Sequence, residues 1–303
     1  MTASTHASFQ YIDPASIKDT KPWSKVDGPG RSYGEVTVEK PVYNARDDAG
    51  DFKDVDRTGF AFYTSPSAVP AEDVLSDGPA VRGAYYDEVE AALRKNLKDG
   101  DKVKRVYIFD HTIRVRDPNA ARQPVAFVHV DQTPGAAAAR VRRHLGDDAE
   151  ALLQKRFQLI NVWRPLGHEA SDHPLGVIDW RSASKADLTP VDLLYPERND
   201  GDDDDRGKEK LPDAETLQST EGYKVGGETY SVLPNPKHRF YYVKDMRPDE
   251  IMLLKCFDSE SAENGGPSDL AGFTPHTAFD DPNTPKDAKP RQSIEVRCLV
   301  FYE

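Results

Sequence analysis

Val125-Ala126-Phe127-Val128-His129-Val130-Asp131 is the stretch on which the reading of this chain turns. Its branched and aromatic residues predict a strand, and a side-chain period of two puts Phe127, His129 and Asp131 on one face. A His-x-Asp at a strand end can offer an imidazole nitrogen and a carboxylate oxygen to one ion. Alone the tripeptide means little, because about one is expected by chance in so acidic a chain.

A third ligand candidate lies far downstream. His276 sits in Gly272-Phe273-Thr274-Pro275-His276-Thr277-Ala278-Phe279, another short strand-like segment. The last strand then opens with Arg291-Gln292-Ser293-Ile294-Glu295-Val296-Arg297, which aligns Arg291, Ser293, Glu295 and Arg297 on one face. Two histidines and a carboxylate form the facial triad that holds non-haem Fe(II) with positions left open. An arginine fork matches a dicarboxylate. His-x-Asp, long gap, His, then Arg-x-Ser is the order that a 2-oxoglutarate-dependent oxygenase needs. In the plainer reading, His276 ends a loop and Arg291 makes a surface ion pair; the residues alone leave both open.

The other histidines offer less. His6 lies in the polar start and His144 beside Arg142 and Arg143 on a helix face. His168 and His173 bracket Glu169 and Asp172, but they are five apart with Pro174 following, whereas a zinc-protease helix needs a spacing of four. A loop is expected there.

Around these stretches, strands are expected at 106–115, 157–163, 228–233, 239–243, 251–257 and 293–302, with shorter extended pieces at 35–42 and 59–63. A helix is expected over 85–97, where Val89, Leu93 and Leu97 recur at four-residue spacing and Gly100 follows as a stop. Others are expected over 135–145, with Ala137, Val141 and Leu145 on one stripe, and over 149–157. Many strands with few helices point to a mainly β sandwich or barrel flanked by helices. Residues 1–58 are expected to form an arm wrapping a body of 59–303. The acidic segment 199–210 misses the glycine and glutamate of a calcium loop and is expected to be a surface insertion.

Lys and Arg number 40 against 52 Asp and Glu, a net charge of −12, the wrong sign for a nucleic-acid or anionic-membrane binder. No run approaches the ~18 apolar residues of a membrane span, and the polar start has no apolar signal region. A cytoplasmic protein with a small-molecule partner is expected, with Cys256 and Cys298 reduced. Oligomeric state cannot be read from these features.

From about Gly59 onward the sequence resembles the fungal gibberellin-desaturase and AsaB-like hydroxylase/desaturase proteins, related to the CmcJ-type cephamycin methoxylation proteins. Its carriers are Asp110-His111-Thr112-Ile113-Arg114, His129-Val130-Asp131-Gln132-Thr133, Asn161-Val162-Trp163-Arg164-Pro165, Pro174-Leu175 with Asp179 and Ser182, His238-Arg239-Phe240-Tyr241-Tyr242, Lys255 with Asp258-Ser259, and the 291–297 run. The resemblance implies an Fe(II)/2-oxoglutarate oxygenase on a double-stranded β-helix, a jelly-roll core of the cupin kind. It implies iron on His129, Asp131 and His276, and the far carboxylate of 2-oxoglutarate on Arg291 beside Ser293, with Arg297 competing for that role. O2 would be the co-oxidant and ascorbate the reductant in assays. Asn161, Trp163 and Arg164 would line the cosubstrate or substrate pocket, and Arg164 there would favour a carboxylate-bearing substrate. His111 and His238 look like supporting or core residues, and Tyr241 and Tyr242 like core filling. The competing readings are a non-catalytic small-molecule-binding barrel and a silent partner subunit of a heteromeric oxygenase.

Overall fold

The computed structural model describes residues 4–26, 28, 30–48, 50–117, 123–197 and 217–303. The acidic segment 199–210 lies outside the described residues. The first seven strands are β1 (Thr5–Ile12), β2 (Trp23–Lys25), β3 (Glu35–Asn44), β4 (Phe60–Thr64), β5 (Val103–Val115), β6 (His129–Val130) and β7 (Phe157–Pro165). They are followed by β8 (Leu175–Ile178), β9 (Leu188–Pro196), β10 (Tyr223–Val232), β11 (Phe240–Tyr242), β12 (Glu250–Asp258), β13 (His276–Ala278) and β14 (Gln292–Tyr302). The helices are α1 (Val55–Thr58), α2 (Ala71–Leu75), α3 (Tyr86–Asn96), α4 (Pro134–Leu145) and α5 (Ala149–Leu153).

Two curled sheets face each other, as in a double-stranded β-helix. The larger runs β1-β3-β11-β8-β13-β6-β10-β9-β2, and the smaller β4-β12-β7-β14-β5. β7 is buried along its whole length because both its faces are covered. Ile160 and Val162 point outward with Leu253 and Val296 against Val89 and Leu93 of α3. Trp163 points inward with Phe60, Val177, Tyr241 and Met252 between the sheets. The mainly β reading with flanking helices therefore holds, and it holds through the alternation of β7 and its neighbours.

The helices follow their sequence signals. Val89 and Leu93 are buried on α3, and a Cβ at Gly100 would lie 1.9 Å from the Arg94 carbonyl oxygen, so the chain can reverse there only with glycine. Thr133 caps α4 by accepting from the Ala136 amide at 3.2 Å, with Pro134 at the first turn. α5 stops at Leu153 instead of reaching Phe157, because Phe157 opens β7 and pairs with Phe301.

The N-terminal strands β1, β2 and β3 are paired into the large sheet. β1 was not among the expected strands, yet Thr5, Ala7, Phe9 and Tyr11 are buried while His6 and Ser8 are exposed. Phe9 stacks on Phe240 with ring centroids 3.7 Å apart. The Gln10 carbonyl accepts from the Val128 amide at 2.9 Å, so β1 also touches the segment leading into β6.

A buried charge cluster closes one end of the smaller sheet. Lys255 donates to Asp56 and, at 2.9 Å, to Asp258; Arg156 reaches the same two carboxylates, and Gln158 bridges them. Burial by itself would raise the Asp258 pKa, but Lys255 and the Arg156 hydrogen bond outweigh it and hold the carboxyl at about 2. A depressed carboxyl contributes stability above its unfolded pKa and loses it as pH falls through the folded value; here that is about 2 kcal/mol, lost between about pH 4 and pH 2. Lys255→Met removes the shared cation and is expected to destabilise the fold by about 3–5 kcal/mol. It should also move the acid-unfolding midpoint upward, measured by urea denaturation across pH.

Candidate metal centre

His129 and His276 are cross-strand partners, directly opposite each other where β6 pairs antiparallel with β13. Side chains at such a pair leave the sheet on the same face, and the ring centroids lie 4.4 Å apart. Asp131 follows His129 by two residues and joins them. Its Oδ1 is 3.3 Å from His129 Nε2 and 3.9 Å from His276 Nε2.

The two imidazoles are held alike. His129 Nδ1 donates to the Phe127 carbonyl at 2.7 Å, and His276 Nδ1 donates to the Thr274 carbonyl at 3.0 Å. Each ring therefore carries its proton on Nδ1 and keeps the Nε2 lone pair for the shared space. One donor atom from each of the three residues lies within 4.8 Å of the others. Cis ligands of one ion at about 2.1 Å stand about 3 Å apart, so two imidazole nitrogens and a carboxylate oxygen fit a divalent cation after a small contraction.

The second oxygen of Asp131 is tied back. Oδ2 accepts from Asn161 Nδ2 at 2.7 Å and from Arg297 Nε at 3.4 Å, which leaves Oδ1 facing the histidines. Burial would raise the Asp131 pKa, but His129 and Arg297 hold it well below the usual range. The same carboxylate outweighs burial at His129 and raises its pKa, whereas burial and the neighbouring His129 lower that of His276.

Arg297 of β14 and Arg291, one residue before its start, differ sharply. Arg297 is saturated: it reaches Glu295 at 2.8 Å, Thr112 at 2.9 Å and Asp110 at 3.2 Å besides Asp131, and these carboxylates raise its pKa against burial. Arg291 is 2% exposed, and among the described residues no carboxylate comes within ion-pair distance of its guanidinium. Its Nη1 donates to the His173 carbonyl at 2.7 Å, its plane lies 5.6 Å from the Trp163 ring centroid, and its buried Nε has no partner. Burial, with Arg114 nearby, pushes its pKa down to about 9. Ser293, two residues further along the chain on β14, is also buried.

Asn161 and Trp163 point inward, the first onto Asp131 and the second beneath Arg291. Arg164 does not join them. A strand of period two turns it to the opposite face, where Nε donates to the Tyr85 hydroxyl at 3.0 Å and Nη1 to the carbonyls of Ser65 and Pro248 at 2.6 and 2.8 Å. The expectation of a pocket charged by Arg164 is thereby corrected. His111 bonds Tyr86 and Asp77, and His238 bonds Tyr11 and Asp187, both away from the triad. Tyr241 and Tyr242 fill cores.

Sequence reasoning missed how Arg291 is held. Asp172 Oδ2 accepts from the Arg291 amide at 3.0 Å, and His173, at a φ of 45°, presents its carbonyl to the guanidinium. The only signal was the His-Asp-His-Pro cluster, which the sequence reading dismissed as a loop. It is a loop, and His173 pairs with Asp172 and Asp280 instead of with His168.

Two curled sheets carrying two imidazoles and one carboxylate between them offer the donor set of a mononuclear non-haem metal centre. Comparison with known proteins narrows this. Residues 9–301 match a family profile described as "Oxidoreductase/YMDC permease-like domain"; no described helix is long and apolar enough to cross a membrane. The Fe(II)/2-oxoglutarate-dependent dioxygenase nvfI of Aspergillus novofumigatus is 34% identical over 96% of this chain and 94% of its own length. The hydroxylase/desaturase efuI of Hormonema carpetanum is 31% identical over 86% and 83%. A solved structure of the iron and alpha-ketoglutarate-dependent endoperoxidase NvfI in a different conformation matches with a TM-score of 0.79 at 27% identity, over 99% of each chain. The chain belongs to the AsaB-like fungal hydroxylase/desaturase family of Fe(II)/2-oxoglutarate-dependent oxygenases, and is thus an oxidoreductase of the non-haem dioxygenase class.

Because Arg164 braces the outer layer, Arg164→Met should destabilise the fold by about 1–3 kcal/mol through the carbonyls it leaves unpaired. Metal affinity, titrated in parallel, should stay within twofold of the parent.

Proposed function

We propose that this protein binds Fe(II) through His129 Nε2, Asp131 Oδ1 and His276 Nε2, and 2-oxoglutarate with its far carboxylate on Arg291 beside Ser293. In this reading it oxidises a small molecule of secondary metabolism by hydrogen abstraction, with hydroxylation, desaturation or ring closure as the outcome. The observation that carries the reading is the pairing of a converged His/Asp/His set with a buried guanidinium that meets no carboxylate among the described residues. Arg297 already has its anions, so Arg291 is the cation left to recruit one.

Bound iron with 2-oxoglutarate and O2 supplies the oxidising power; the residues of the chain supply its placement. The Phe127 and Thr274 carbonyls fix both imidazoles with Nε2 inward. Asn161 and Arg297 turn Asp131 so that one oxygen is offered, which leaves positions open for other ligands. Arg291, pinned by His173 and backed by Trp163, orients a dicarboxylate by a fork of charged hydrogen bonds in a site shielded from water. The names of the relatives span hydroxylase/desaturase and endoperoxidase, so the fate of the substrate radical is set by how a given substrate sits.

The test is an anaerobic titration with Fe(II) and then 2-oxoglutarate, following the visible absorption of the complex, together with succinate release in air with ascorbate. The parent should bind one equivalent of each, and His276→Ala should lose the iron. Arg291→Met should keep iron affinity within about twofold and weaken 2-oxoglutarate by at least about thirtyfold, since truncating one partner of a buried charge pair costs 2–5 kcal/mol. Unchanged cosubstrate binding in Arg291→Met would falsify the assignment.

A further inference from the structure

The carbonyls that orient the two imidazoles are anchored in different ways. Phe127 leads straight into main-chain pairing: the Val128 amide donates to the Gln10 carbonyl at 2.9 Å, and the Val128 carbonyl accepts from the Val232 amide at 3.3 Å. Residues 271–275, which lead into β13, belong to no strand, and Pro275 brings no amide hydrogen of its own. Yet it is the Thr274 carbonyl that receives His276 Nδ1 and so sets the proton and the plane of that ring.

Thr274 is held by the turn that follows α1. Its hydroxyl donates to the Gly59 carbonyl, which also accepts the Lys255 amide at 2.8 Å. A second tie lies three residues earlier, where the Ala271 amide donates to the Asp56 carbonyl at 2.7 Å. The Asp56 side chain is gripped by Lys255 and Arg156 in the buried charge cluster, so both ties start from a fixed point. Thr274 is fully buried, and water does not compete for its hydroxyl.

Glycine at position 59 is what permits this contact. Its φ of 83° is left-handed, and a Cβ there would lie 2.7 Å from the Phe273 carbonyl oxygen and 2.8 Å from Thr274 Oγ1. Any side chain would push the 273–274 main chain away from the turn.

We propose that Gly59 and Thr274 are a positioning pair for the metal centre: the turn after α1 holds the Thr274 carbonyl, and through it aims His276 Nε2 at the ion. This rests on the iron site proposed above. Neither residue offers the metal an atom, and they stand 215 positions apart in the chain. His129 needs no such remote brace, because its carbonyl partner adjoins a paired strand.

The test titrates Co(II), a spectroscopic stand-in for Fe(II), into the metal-free full chain and follows its visible absorption, with urea unfolding of each metal-free form in parallel. Thr274→Val keeps the side-chain shape without the hydroxyl and should weaken Co(II) binding about 10–100-fold and shift the band, as loss of an outer partner of a ligand does. Thr274→Ser restores the hydroxyl and should bind within about threefold of the parent. Gly59→Ala should weaken binding in the same direction, and the Gly59→Ala/Thr274→Val double variant should lose no more than the worse single one, since both break one link. Leu93→Ala opens a cavity in the outer layer; it should lower the urea midpoint and leave Co(II) affinity within about twofold. Parent-like binding by Thr274→Val, failure of Thr274→Ser to restore it, additive losses in the double variant, or an equal loss in Leu93→Ala overturns the proposal. Should Gly59→Ala not fold, the Thr274 series decides alone. His276→Ala keeps the two readings apart: if it retains Co(II), the metal centre itself falls, whereas loss of Co(II) there with parent-like binding by Thr274→Val removes only the positioning pair.

Discussion

The register between β6 and β13 is the constraint on which the site depends. Only when His276 stands opposite His129 do the two imidazoles leave the sheet on one face, and only then does Asp131, two residues on, reach both. A slip of one residue would send His276 to the other face. Neither strand is long: β6 has two residues and β13 three, too few to fix register by their own ladder. The register is held by neighbours. β8 pairs with β13 through Val177, and β10 pairs with β6 through Ser231, while the Ala278 amide and the Val128 amide bond the Val125 and Gln10 carbonyls. The N-terminal strand thereby contributes to the geometry of a site to which it gives no side chain.

Charge arranges the rest. Three carboxylates, those of Asp131, Glu295 and Asp110, converge on Arg297, and that single cation keeps a buried acidic cluster compatible with folding. Arg291, just before that strand, has no carboxylate within ion-pair distance of its guanidinium among the described residues, and burial, with Arg114 nearby, lowers its pKa. Two arginines six residues apart therefore differ in kind: one compensates charge already in the protein, and the other is held by a main-chain carbonyl and an aromatic ring.

Much of this was legible in the sequence, and the failures have physical causes. The long strands β5, β7, β12 and β14 announce themselves through dense branched and aromatic residues, and α3 and α4 through four-residue apolar spacing. β1 escaped notice because Thr5, His6, Ser8 and Gln10 lower its mean hydropathy although its alternation is intact. β8 has four residues after Pro174, and β9 carries Pro190, both of which weaken a strand reading. The triad residues were recognisable by type and order, but which arginine is free depends on partners scattered over β5, β6 and the 172–173 loop. No local pattern encodes that.

Arg164 shows why a motif should not be treated as a block. Asn161-Val162-Trp163-Arg164 reads as one polar-aromatic unit, yet a pleated strand sends alternate residues to different environments: Asn161 to the metal ligand, Trp163 beneath the free arginine, Val162 and Arg164 to the outer layer. The same alternation explains how relatives with different reaction names can share one frame. Residues on the inward face of the smaller sheet, Asn161, Trp163 and Arg297, brace Asp131 and Arg291, and their positions are fixed by neighbours on both sides.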